Sequence, residues 1–174
     1  TDIDADEQQI AGWDDANFWD GSTVKPAIAD LERQLLLTKL VHSFVQGSIA
    51  VDQAVSLAEE LGRLLDQVQT HRLSLEGLAQ LVPEDYAEHW QMTLKFLEIL
   101  TTEWPIILRD FDCLDPAERR NQVLERQAKI WSVSPPRGYI IAAGSTGSIP
   151  ATADLLNVVS KLPNGCVVLP GLDL

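Results

Sequence analysis

Two short apolar runs constrain this chain most. They are Tyr139-Ile140-Ile141-Ala142-Ala143 and Cys166-Val167-Val168-Leu169, and turn residues bound both. Pro135, Pro136 and Gly138 precede the first, and Gly144 and Gly147 follow it. Pro163-Asn164-Gly165 precedes the second, and Pro170-Gly171 follows it. Apolar runs this short between such signals read as buried strands. Between them, Pro150 to Lys161 has the length and composition of a helix. Strand, helix, strand is a parallel crossover, right-handed by the rule for such connections. Two parallel strands alone make a poor sheet, because their faces and edges need cover. The piece 138–174 is therefore expected to begin a larger parallel sheet.

The residues before it read as helices. Pro26 suits a first helical position. Ile28, Leu31, Leu35, Leu36, Leu40, Val41 and Phe44 then recur mostly at three- and four-residue steps, with Gly47 as the stop. A second helix runs from about Val51 to Gln69 on Val55, Leu57, Ala58, Leu61, Leu64, Leu65 and Val68. A short helix follows Ser74 through Leu75, Leu78 and Leu81. Pro83 opens a long one with Tyr86, Trp90, Leu94, Leu97 and Leu100 inward, and Pro105 should kink or break it. Asp115-Pro116-Ala117-Glu118 joins an N-cap, a proline at the first helical position and a capping-box glutamate, and starts a helix reaching about Trp131. The expected fold is mainly α: a helical bundle-like subdomain over 26–133, then a short βαβ piece, 138–174, of an incomplete parallel sheet. Residues 1–25 read as an acidic linker or extended segment.

Charge narrows the function. The 174 residues hold 26 acidic and 13 basic side chains, a net charge of −13. A domain that grips nucleic acid through its own field should be basic, so DNA binding by this piece alone is not expected. The acidity is uneven: Asp2, Asp4, Asp6, Glu7, Asp14, Asp15, Asp20 and Asp30 face Lys25 alone in the first 30 residues. Such a stretch is either a tail for a basic partner or a solvated linker. Trp13, Phe18 and Trp19 lie within it, and bulky aromatics are unusual in solvent spacers. They are expected to pack on this domain or on a neighbour. Two cysteines, Cys113 and Cys166, make no disulfide framework and point to a reducing, cytoplasmic compartment. No apolar run approaches the roughly 20 residues of a membrane span, and no signal peptide opens the chain. A first residue of Thr1, with a sheet that stops after two strands, is read as part of something longer.

The most site-like feature is the loop Gly144-Ser145-Thr146-Gly147-Ser148, between a strand and a helix N-terminus, where α/β sheets bind ligands. Backbone N–H groups there can hold a phosphate, although a plain strand–helix turn explains the same residues. It lacks the Lys-Ser/Thr pair of a Walker A loop, the third glycine of a dinucleotide fingerprint and the nucleophile-elbow pattern. His42, His71 and His89 are not at metal-ligand spacing with one another or with a cysteine. Glu84, Asp85 and Glu88 read as a helix start favoured by the dipole, and Asp110, Asp112 and Asp115 lack the rest of a calcium loop. Arg119, Arg120, Arg126 and Lys129 make one basic helix face, suited to pairing with nearby acids or to phosphate contact. No catalytic residue, metal or cofactor is expected in this segment.

One resemblance covers most of the chain. Leu81-Val82-Pro83-Glu84-Asp85, Glu88-His89-Trp90-Gln91, Phe96-Leu97-Glu98-Ile99, Trp104-Pro105 and Asp115 through Asn121 resemble the AddB family. These are subunits of the AddAB helicase–nuclease that repairs double-strand breaks. The match is most specific from Ala142 through Leu156 and continues at Val167 through Asp173; Pro26 through Leu37 is similar too. The resemblance implies a longer parent with a helicase-like N-terminal half and a C-terminal PD-(D/E)xK nuclease, working with an AddA-type subunit on broken DNA ends. Residues 26–133 would be the helical insertion of the first RecA-like domain, and 138–174 would return to its sheet. In active helicases of that superfamily the corresponding strand ends in acidic residues that hold magnesium. Here it ends in Gly144-Ser145-Thr146, so no ATPase centre is expected at this loop. A small nucleotide- or phosphate-binding domain and an acidic helical adaptor are the other classes the residues allow.

Overall fold

The computed structural model describes residues 24–45, 49–74 and 97–171. The short helix after Ser74, the Pro83 helix as far as Phe96, the acidic segment before Val24 and Gly47 lie outside these residues. Helix α1 spans Asp30–Phe44 and α2 spans Val51–Thr70. A π-helical turn, Ile99–Glu103, leads into α3, Trp104–Asp110. Helix α4 is Pro116–Val133. Strand β1 (Ile140–Ala143), α5 (Pro150–Val159) and β2 (Gly165–Val168) complete the order. Among the described residues the chain is mainly helical, with one small parallel sheet.

Helices α1 and α2 pack face to face. On α2 the contact is built from small residues one turn apart: Ala54 and Ala58 are fully buried, and Gly62 follows. A side chain at Gly62 would crowd the Arg33 guanidinium and Leu37. On α1 the inward positions are Arg33, Leu37 and Val41, four residues apart. This corrects the expected face: Leu31 and Leu35 are 72% and 60% exposed. Arg33 must turn inward to meet two acids, and Leu37 and Val41 share its stripe. Leu61, Leu65, Ile99, Leu100 and Trp104 complete this core, with Ile28 and Cys113 at its edge.

Pro26 does not open α1. Residues 26–28 run extended beside Leu114, with Ile28 N–H donating to the Leu114 carbonyl and Leu114 N–H to that of Pro26, both at 2.9 Å. The helix starts four residues later. Pro105 does not break its helix either. The Trp104 N–H donates to the Ile99 carbonyl five residues back, and this wider turn accommodates a residue without an N–H where an α-helix would clash.

Helices α2 and α3 both end in Schellman motifs without glycine. Leu73 N–H reaches the Val68 carbonyl and Arg72 N–H that of Gln69; Cys113 N–H reaches Leu108 and Asp112 N–H reaches Arg109. The left-handed positions are Arg72 (φ 53°) and Asp112 (φ 51°). Each holds an ion pair, Asp112 with Lys25 at 2.7 Å and Arg72 with two acids described below.

The strand–helix–strand order and the parallel pairing are as expected. β1 and β2 pair in parallel, with Ile140 opposite Gly165 and Ala143 opposite Val168. Helix α5 packs against α4 and both strands. Ala151, Val159 and Ile140 fill that seam. Gly165 is required there, because a Cβ would overlap the Val159 carbonyl. The strands are not buried on both sides. Burial alternates along each, and Ile141 and Val168 are 68% and 52% exposed on the face away from α5.

Candidate functional site

The loop after β1 is held by its own atoms. Gly144 N–H extends the ladder to the Val168 carbonyl at 3.1 Å. The chain then turns through two left-handed glycines, Gly144 at φ 81° and Gly147 at φ 66°. These conformations select glycine. Ser145 Oγ accepts from the Gly147 N–H at 3.3 Å, and the Thr146 hydroxyl donates to Ser148 Oγ at 3.2 Å. Gly147 lies against Leu156 and Ala153 of α5, so a side chain there would press on that helix. The five residues Gly144, Ser145, Thr146, Gly147 and Ser148 are thus brought together at the start of α5, with Pro150 as its first residue. β1 runs directly into Gly144-Ser145-Thr146, and none of these three residues carries a carboxylate. Among the described residues no group of three His, Cys, Asp or Glu is placed to hold a metal, and no helix is long and apolar enough to cross a membrane.

The polar centre of the molecule lies elsewhere, and sequence reasoning missed it. Asp115 is completely buried. Its Oδ2 accepts from Trp104 Nε1 at 2.9 Å and from Arg33 Nε at 3.1 Å. Arg33 also donates to Asp66 Oδ1 at 2.8 Å and to the Gly62 carbonyl at 3.2 Å. One guanidinium therefore joins α1 to α2 and to the start of α4, and the indole ties in α3. Asp115 precedes α4 as expected, but its carboxylate makes no cap. Glu118 instead accepts from Gln122 Nε2 at 2.7 Å, so no capping box closes. Burial lifts the Asp115 carboxyl above its ordinary range, against the opposing pull of Arg33 and of the Trp104 N–H. Burial also raises the Cys113 thiol, which makes it a poor nucleophile.

A second clamp joins the helices to the crossover. Arg72 pairs with Glu125 of α4 at 2.6 Å and with Asp154 of α5 at 2.7 Å. The hydrogen bond that Arg72 donates to Asp154 chiefly, helped by the Glu125 charge, raises the guanidinium pKa further. The remaining candidates do not converge. Asp110 and Asp112 stay at the surface beside Arg109 and Lys25, apart from buried Asp115. His42 and His71 sit at the ends of different helices. His89, Glu84, Asp85 and Glu88 lie outside the described residues.

On the basic face of α4, Arg119 Nε donates to the Lys25 carbonyl at 3.1 Å and Arg120 to the Thr70 hydroxyl at 2.7 Å. These contacts fasten α4 to the chain at Lys25 and to the end of α2. Arg126 and Lys129 line a groove of about 620 Å³ with Val24, Gln122, Glu125, Ile130, Val133 and Ser134.

Comparison with protein-family models, curated proteins and solved structures finds no match to this chain.

Proposed function

We propose that this chain is a non-catalytic, helicase-like part of an AddB-type subunit. In this reading it serves DNA double-strand break repair and recombination as a scaffold and as a contact for the DNA path or the partner subunit. The observation that carries the reading is the tip of β1. A parallel strand runs into Gly144-Ser145-Thr146 with no carboxylate at its end, and the loop's hydroxyls are engaged within the loop. A magnesium–nucleotide site needs an acidic ligand there, and a hydroxyl replaces it poorly. The half-exposed outer face of the sheet fits a sheet that continues in other residues.

On this reading the nuclease carboxylates belong to other parts of the subunit, and the chain itself holds no cofactor. The partner is an AddA-type helicase–nuclease subunit in the cytoplasm, and DNA is met through the assembled parent. The net charge of −13 accords with a piece that does not grip DNA alone.

Calorimetric titration with ATP, with and without magnesium, tests the loop assignment. The expected result is no saturable heat at millimolar nucleotide. Tight, magnesium-dependent binding that is lost on Gly147→Val would overturn the scaffold reading and favour a nucleotide-binding domain built on Gly144–Ser148.

A further inference from the structure

The groove on α4 carries a charge opposite to that of the molecule. Arg126 and Lys129 line it, and Lys129 is exposed with no acid paired to it among the described residues. Glu125 is the one carboxylate among the described lining residues, and Arg72 holds it at 2.6 Å. The surrounding sequence repeats the pattern. From Arg126 to Gly171 the chain has four cations, Arg126, Lys129, Arg137 and Lys161, against one acid, Asp154, which Arg72 also holds. The whole chain has a net charge of −13, so positive charge is gathered in this part of the sequence.

Apolar groups stand beside the cations. Val24, Ile130 and Val133 line the same groove, and Val133 is 81% exposed. Apolar side chains left in water next to solvated cations suit a partner that brings both apolar and acidic groups. The α4 side of the groove runs from Gln122 to Ser134. That is about 18 Å of helix at about 1.5 Å per residue, which about five or six extended residues span at about 3.3 Å each. A nucleic-acid strand fits less well, because a net charge of −13 repels polyphosphate and the apolar lining gives phosphates nothing to bond.

We propose that this groove receives a short, extended segment of a partner protein, acidic and apolar in composition. The segment's apolar side chains cover Ile130 and Val133, and its carboxylates meet Lys129 and Arg126. The occupant is set by charge complementarity to the groove within an otherwise acidic chain. The inference is independent of the AddB-type reading.

The test uses the full chain and a fluorescein-labelled peptide, Asp-Leu-Asp-Asp-Phe-Leu-Asp-Leu, amidated at its C-terminus. Fluorescence anisotropy should show saturable binding below millimolar concentration, weakening as salt is raised. The amide signals that shift on binding should be those of Val24 and of Gln122 to Ser134. Lys129 is exposed, so Lys129→Glu should leave the rest of the amide spectrum unchanged and weaken binding about tenfold. A peptide with lysine in place of every aspartate should bind Lys129→Glu better than the wild-type chain, which separates charge recognition from any loss of fold. No saturable binding, an affinity that Lys129→Glu leaves unchanged, or shifts centred on Ile141 and Val168 would overturn the proposal. So would tighter binding of a single-stranded oligothymidylate, which would make the groove a nucleic-acid contact. Shifts of the same amides when the chain alone is concentrated would place a second copy in the groove and overturn it as well.

Discussion

Removing the Asp115 carboxylate leaves Trp104 with a buried, unpaired indole N–H and leaves Arg33 with only Asp66 and the Gly62 carbonyl. Breaking one side of a buried pair costs about 3–5 kcal/mol, and the surviving Asp66 contact places Asp115→Ala near the lower end. Asp115→Asn keeps an acceptor for the indole and should cost about 1–3 kcal/mol. Denaturant unfolding measures both. The pH dependence follows from burial. The folded carboxyl titrates above its unfolded value of about 3.9, so the folded state holds the proton more tightly. The associated stabilisation is fully present below the unfolded pKa and is lost as pH rises through the folded one. Relative to Asp115→Asn, the wild-type midpoint should therefore rise as pH falls from neutrality toward about 4. A midpoint difference that falls over that window would mean that Arg33 outweighs desolvation. None of this cluster was legible locally. Asp115-Pro116 signalled a helix start, and the start is correct, but the partner that claims the carboxylate is Arg33, 82 residues away. An arginine on an amphipathic helix carries no mark of facing inward.

Elements were read best where the pattern repeats and least well at their ends. Helix α2 was legible because its apolar stripe is continuous over five turns. Helix α1 was legible as a helix, but its face was misjudged, since leucine occurs on several sides and Arg33 fixes the buried one. The ends of α2 and α3 carry no glycine signal, because Arg72 and Asp112 take the left-handed position. At Arg72 backbone and side chain oppose each other. Glycine there should relieve about 1 kcal/mol of left-handed strain but delete the clamp to Glu125 and Asp154. Alanine deletes the clamp and keeps the strain. The clamp is partly solvated, so it contributes less than about 1 kcal/mol. Arg72→Gly should therefore be as stable as the wild type or slightly more so, and Arg72→Ala less stable by under about 1 kcal/mol, which leaves the two variants about 1 kcal/mol apart. Hydrogen exchange in α5 should quicken in both. Equal midpoints for the two variants would show that the left-handed turn is unstrained.

At the scale of the molecule, the crossover was fully legible in the sequence. Two apolar runs between turn residues, with a helix-length segment between them, leave little choice of connection. The exposure of Ile141 and Val168 was not legible, because an apolar run looks the same whether one face or both are covered. The loop Gly144–Ser148 was found by position, and its geometry is that of a self-bonded turn. The proposed role as a scaffold within an AddB-type subunit rests on that loop, on the missing acidic ligand and on the residue resemblance. Sequencing the complete reading frame that encodes these residues tests this most directly. The expected result is a long frame with a PD-(D/E)xK nuclease motif well downstream of Leu174. A frame that encodes no such motif would contradict it.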